Sequence, residues 1–232
     1  MNIRSAAVII ALLLPSTVLP RLASGQGQTV DEGTFLISRA GAPAGRESFR
    51  IVRSPSASGE VFRATAQISI GERRVVPALS TDSTGTPESY VVAVQDGAGP
   101  AIRLQARARP GRLSALLQTP HGESAREYII PPTTVLLDDD IAHQLFFVTL
   151  SGRQPGSLTV VDPLSGRQTR ATLERRGSES LSIGGQEVQA THYALASAEL
   201  PRRDFWVDAV GRVLKVSCTA HQLTAVRDEL PR

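Results

Sequence analysis

Two runs of strict alternation restrict this chain to a sheet with one dry face. In residues 62–70, Phe62, Ala64, Ala66, Ile68 and Ile70 fall on one side, and Arg63, Thr65, Gln67 and Ser69 fall on the other. In residues 102–109, Ile102, Leu104, Ala106 and Ala108 alternate with Arg103, Gln105, Arg107 and Arg109. A period of two is the side-chain spacing of a strand, and alternation of apolar with polar residues belongs to antiparallel strands wetted on one face. A weaker version runs through residues 46–53, where Glu47, Phe49, Ile51 and Arg53 share a side.

Turn chemistry divides the rest into similar segments. Gly41, Pro43 and Gly45 separate strand candidates at 33–39 and 46–53, and Pro110-Gly111 leads into another at 112–118. Weaker candidates lie at 73–79 and 89–95. Residues 26–32 are polar and read as a loose terminus. Further on, segments 157–161 and 167–175 flank Asp162-Pro163-Leu164-Ser165-Gly166, 179–183 and 186–196 flank Gly184-Gly185, and 203–207 and 212–218 flank a turn at 208–211. A final strand or short helix occupies 223–230. Parallel βαβ units would need a helix between strands, and none is signalled.

The alternation stops in residues 131–150. Pro131 and Pro132 halt what precedes them. Asp138, Asp139 and Asp140 come next, followed by Ile141, Leu145 and Val148 at helical spacing. Acidic residues suit the positive end of a helix and can cap a free N–H. The spacing predicts one helix of roughly three turns. The expected fold is mainly β: an antiparallel sheet curved into a partial barrel or β-clam, with one central helix at about 138–150 packed against it. The domain is expected to span 26–232, with one meander at 33–120, a helix-containing connector at 131–150 and a second meander at 157–230.

Residues 1–25 read as a signal peptide. Arg4 supplies the positive start, residues 6–14 (AAVIIALLL) the apolar stretch, and Ala23-Ser24-Gly25 the small residues that a signal peptidase needs. Nine apolar residues are far short of the roughly 20 that span a bilayer. The expectation is an exported protein, periplasmic or secreted, that does not span a membrane. Without Arg4 and Arg21, 23 basic residues face 22 acidic ones, a net charge of +1. Nearly balanced charge offers nucleic acid no electrostatic footing, and arginines spread among acids read as solvated strand faces. Cys218 is the single cysteine, so no internal disulfide can form.

Certain segments resemble a group of uncharacterised bacterial exported β-rich proteins. They are Phe205-Trp206-Val207-Asp208 with Gly211-Arg212-Val213-Leu214-Lys215-Val216, the opening from Glu32-Gly33 to Phe49, and Leu137-Asp138 with His143-Gln144-Leu145. The resemblance implies an antiparallel sheet curved around a helix, similar in shape to the β-clam of periplasmic lipoprotein carriers. It implies no catalytic residues.

No nucleophile motif, phosphate-binding glycine loop or cofactor signature is present, so no cofactor is expected and the sequence leans away from an enzyme. Asp139 and His143, four apart on the expected helix, are the candidates for a metal or an acid–base pair. An ordinary reading of them is dipole-favoured acid with a surface histidine. His192 is expected at the core edge, bonded to a backbone carbonyl. Apolar strand faces built from alanine, valine and leucine, with aromatics at 4%, suggest a concave site for a lipid-like or other amphipathic ligand. Its candidate residues are Ala106, Phe146, Phe147 and Trp206. The alternative is an assembly module that meets an envelope partner at an exposed sheet edge.

Overall fold

The computed structural model describes residues 27–57 and 59–232; the expected leader, residues 1–25, lies outside them. Fifteen strands form one sheet. β1 (Gln28–Arg39), β2 (Ala42–Ser56), β3 (Gly59–Ile70), β4 (Arg73–Asp82), β5 (Pro87–Asp96), β6 (Ile102–Arg109), β7 (Arg112–Thr119) and β8 (Gly122–Ile129) make an up-and-down meander. β10 (Gly156–Asp162), β11 (Arg167–Ile183), β12 (Gln186–Ala196), β13 (Arg203–Val207), β14 (Val213–Cys218) and β15 (Leu223–Arg227) make a second. Three-residue β9 (Thr134–Leu136) pairs in parallel with β10, and every other neighbouring pair is antiparallel.

The two meanders join in the middle of the sheet, where β1 pairs with β2 on one side and β15 on the other. The sheet's ends are therefore β8 and β9, although only residues 130–133 separate them in the chain. A connection that short reaches no more than about 18 Å. The sheet must roll until its ends approach, and it stops short of closing into a barrel because β8 and β9 share no ladder. Side chains cross the gap instead. Gln168 Nε2 donates to the Ile129 carbonyl at 2.5 Å, and Arg126 Nη1 to that of Gly166 at 3.4 Å.

The inward faces carry the expected apolar residues. Phe35, Phe49, Ile51, Phe62, Leu79, Val92, Leu104 and Leu113 all belong to one continuous core. Residues 137–148 fill the hollow of the roll, and all of them are buried except Asp139 and Asp140. The helix is shorter than the expected 138–150. A 3-10 turn (His143–Leu145) leads into α1 (Phe146–Thr149), and a second 3-10 turn (Leu150–Gly152) follows. Asp140 takes a positive φ of 64°, so helical geometry cannot begin before it.

Three further expectations change. Of the expected loose terminus, 26–32, residues 28–32 instead open β1, and Asp31 is buried against Arg227, with Oδ2 2.5 Å from Nη2; residue 26 lies outside the described residues. Segments 167–175 and 179–183 are one long strand, β11, with a bulge between Arg175 and Gly177. β8 and β9 were not signalled as strands. β8 reads Gly-Glu-Ser-Ala-Arg-Glu-Tyr-Ile, which has no apolar alternation to detect.

Candidate functional site

The segment inside the roll is held by polar groups arriving from the sheet. Glu47 of β2 points inward with Phe49 and Ile51, and its side chain has no solvent contact. Its carboxyl oxygens accept the Ala142 N–H at 2.8 Å and the His143 N–H at 2.8 Å, and Oε1 lies 2.7 Å from His143 Nδ1. The first N–H groups of a helix have no partner within it. Here a strand residue 95 positions away supplies the cap, and the aspartates expected to do so are engaged elsewhere. The His143 ring stacks on Phe49 at 5.7 Å, and its Nε2 is buried without a partner.

Asp138 sits deeper. Tyr90 of β5 donates its hydroxyl to Asp138 Oδ2, and Gln144 Oε1 accepts the Asp138 N–H at 2.7 Å. Burial, reinforced by the negative charge of nearby Asp162, pushes the Asp138 carboxyl up to about 8. Its other carboxyl oxygen, Oδ1, is buried without a hydrogen-bond partner. Burial, with Asp138 next in effect, likewise raises the Tyr90 phenol well above its ordinary value. Asp139 accepts from Arg203 at 2.5 Å and from Arg167 at 3.3 Å, and Asp140 from Arg39 at 3.2 Å. Three consecutive aspartates thus tie this segment to three different regions of the sheet.

The structure separates the candidate residues. Asp139 and His143 do not share a helix face, since the helix begins at His143. Asp139 turns to Arg203 and Arg167, whereas His143 turns to Glu47. Among the described residues, no three His, Cys, Asp or Glu side chains are grouped to hold a metal. Ala106, Phe146 and Phe147 lie together in the main core, buried, with the two phenylalanine rings edge-to-face at 5.4 Å. A cleft of about 90 Å³ that none of the three lines opens between Leu104, Leu117, Tyr128 and Leu164.

Trp206 is on the opposite, convex face. It packs with Ile183, Ala190 and Leu214 in a separate small core, stacks on His192 at 4.5 Å and donates Nε1–H to Glu179 at 2.5 Å. His192 does not bond a backbone carbonyl as expected; its Nε2 lies 2.8 Å from Asp204 Oδ1.

One further site escaped the sequence reading: the open end of the sheet at β8. Seven of its eight residues, all but Tyr128, are exposed. Ile130 N–H bonds the Gly111 carbonyl at 3.0 Å, which sets the ladder phase for the register Arg112↔Ile129 through Thr119↔Gly122. Antiparallel pairs alternate between bonded and non-bonded. Glu123, Ala125, Glu127 and Ile129 therefore turn their N–H and C=O groups away from β7. Gln168 takes the Ile129 carbonyl. Among the described residues, those of Glu123, Ala125 and Glu127 have no protein partner.

A single rolled, almost wholly antiparallel sheet around a short helix, with β8 exposed at one of its two ends, defines the class. The model of a domain of unknown function (DUF6134) matches residues 143–229, the helix and most of the second meander. The chain is also similar to the β-barrel-like protein of the domain of unknown function DUF1849 from Brucella abortus. That crystal structure aligns with TM-score 0.47 and 13% identity, over 87% of this chain and 96% of that one. No curated protein matches. The resemblance to uncharacterised proteins drawn from the sequence holds over residues 143–229.

Proposed function

We propose that this protein is an exported contact module that takes up an extended segment of a partner protein along β8. The carrying observation is the row of outward N–H and C=O groups at Glu123, Ala125 and Glu127, on a strand exposed on both faces. Such an edge is a template for strand addition, with main-chain bonds giving affinity and alternate side chains giving selectivity. On the convex side an incoming strand meets Glu123, Ala125, Glu127 and Ile129, so alternating basic and apolar residues suit it. Export rests on the n-region, apolar stretch and small residues of 1–25. The amphipathic-ligand reading is less favoured because residues 137–148 occupy the hollow where such a ligand would sit.

Among the described residues no helix is long and apolar enough to cross a membrane. The test is site-specific photo-crosslinking in an exporting host with the probe at Glu123, whose side chain is exposed. A discrete protein adduct is expected, lost on Ala125→Pro, which deletes one outward N–H and leaves the β7 ladder intact. No adduct, or an adduct indifferent to the proline, would refute the reading.

A further inference from the structure

The fold sorts charges that the sequence leaves mixed. Across β2 to β7 the inward positions are set by buried residues, so the outward ones follow from alternation. Outward on these six strands stand Arg46, Arg50, Arg63, Arg74, Arg103, Arg107, Arg109 and Arg112, against one carboxylate that unbroken alternation places outward, Asp82 at the end of β4. Glu47, Glu60 and Asp96 take the inward phase, and Glu88 is the extra residue of the β-bulge opposite Ser80, where the alternation is interrupted. Arg50 meets Glu32, Arg112 meets Glu127, and Arg74 bonds only backbone carbonyls. Arg46, Arg63, Arg103, Arg107 and Arg109 have no acidic partner among the described residues.

The same face carries an exposed apolar row. The pairings Ala78↔Val91, Val91↔Gln105, Gln105↔Leu116 and Leu116↔Ala125 line these residues up across five strands, a distance of about 19 Å. Val91 is 48% exposed and Leu116 38%, with Val76, 52% exposed, in the adjacent row opposite Ala93. Arg103 and Arg107 flank Gln105 on β6, one on each side of the row.

We propose that this convex face docks on an anionic lipid surface. Unneutralised arginines spread over two dimensions match a plane of phosphates, whereas a linear polyanion or an acidic strand would need them in a single line. Val76, Val91 and Leu116 between them supply apolar contact at the headgroup boundary, where arginine stems also lie comfortably. The inference is independent of strand addition at β8, which needs no arginine.

The test is co-sedimentation of the full chain with vesicles of phosphatidylcholine containing about 30% phosphatidylglycerol, against vesicles of phosphatidylcholine alone. Binding is expected to the anionic vesicles only, weakening as salt rises. Each arginine near such a surface is worth about fivefold in affinity, so the triple variant R103Q/R107Q/R109Q should bind roughly 100-fold more weakly. An equal charge loss on β11, R170Q/R175Q/R176Q, should leave binding unchanged. No anionic-vesicle binding, equal loss in both triple variants, or equal binding to neutral vesicles would overturn the proposal. Binding to soluble polyglutamate without vesicle binding would also overturn it, in favour of an acidic protein partner.

Discussion

Glu47→Ala should be among the most damaging single changes in the chain. The substitution leaves the Ala142 and His143 N–H groups, both bonded at 2.8 Å, facing an apolar interior, and it removes the group beside the His143 ring. A buried donor left unsatisfied costs roughly 1–3 kcal/mol. With two such donors and a small cavity, the total is roughly 3–5 kcal/mol. In a chain of this size each kcal/mol moves Tm by about 2–4 °C, so the fall is on the order of 10 °C. Urea unfolding followed by Trp206 fluorescence and by circular dichroism measures it. Glu60→Ala is the control, because Glu60 meets Arg53 at 3.6 Å with both side chains widely exposed, a contact worth less than about 1 kcal/mol. If Glu47→Ala lies within 1 kcal/mol of Glu60→Ala, the cap supplied by β2 does not hold the helix as described.

Three more outcomes follow from the same interior. The Asp138 carboxyl is raised in the fold to about 8, so between about pH 4 and 8 the native state keeps a proton that the unfolded chain has lost. Asp138 therefore disfavours folding increasingly as pH rises through that window; Asp138→Asn should flatten the fall, and parallel stability–pH curves would refute the assignment. Ala106→Phe, with Tyr90 and Ala115 as cross-strand neighbours, should overpack the core and cost roughly 1–3 kcal/mol in urea unfolding; unchanged stability would reveal free space behind Ala106 and revive a ligand cavity. Arg227→Ala should cost roughly 3–5 kcal/mol by stranding buried Asp31, with most of it recovered in Asp31→Leu/Arg227→Met; a mild single variant would show that solvent reaches Asp31.

Legibility followed the strength of the apolar alternation. β3 and β6 could be placed from the sequence because burial on one face dictates their pattern. β8 could not, since an edge strand wet on both faces has no pattern to impose. The aspartate run misled for a different reason. Its charge suited a helix start, but Asp139 and Asp140 are matched by Arg167, Arg203 and Arg39, partners that exist only once the sheet has rolled. Glu47 fell on the apolar side of its strand in the sequence, which was the available sign of a buried role; the groups it would cap lay 95 and 96 residues away. The arginine-rich face was hidden by overall neutrality, because composition sums charges that alternation separates.

The seam between β1 and β15 also bears on the order in which the molecule can form. Each meander can grow outward by neighbouring hairpins, whereas the pairing of Phe35 with Arg227 joins positions at opposite ends of the chain. Closing so large a loop is slow relative to forming a hairpin. During synthesis the first eight strands emerge long before residues 223–227 exist, and β1 waits as a second open edge. A chain lacking those residues would keep both arms unjoined and present two raw edges, so the final strand acts as the latch that turns two sticky half-sheets into one.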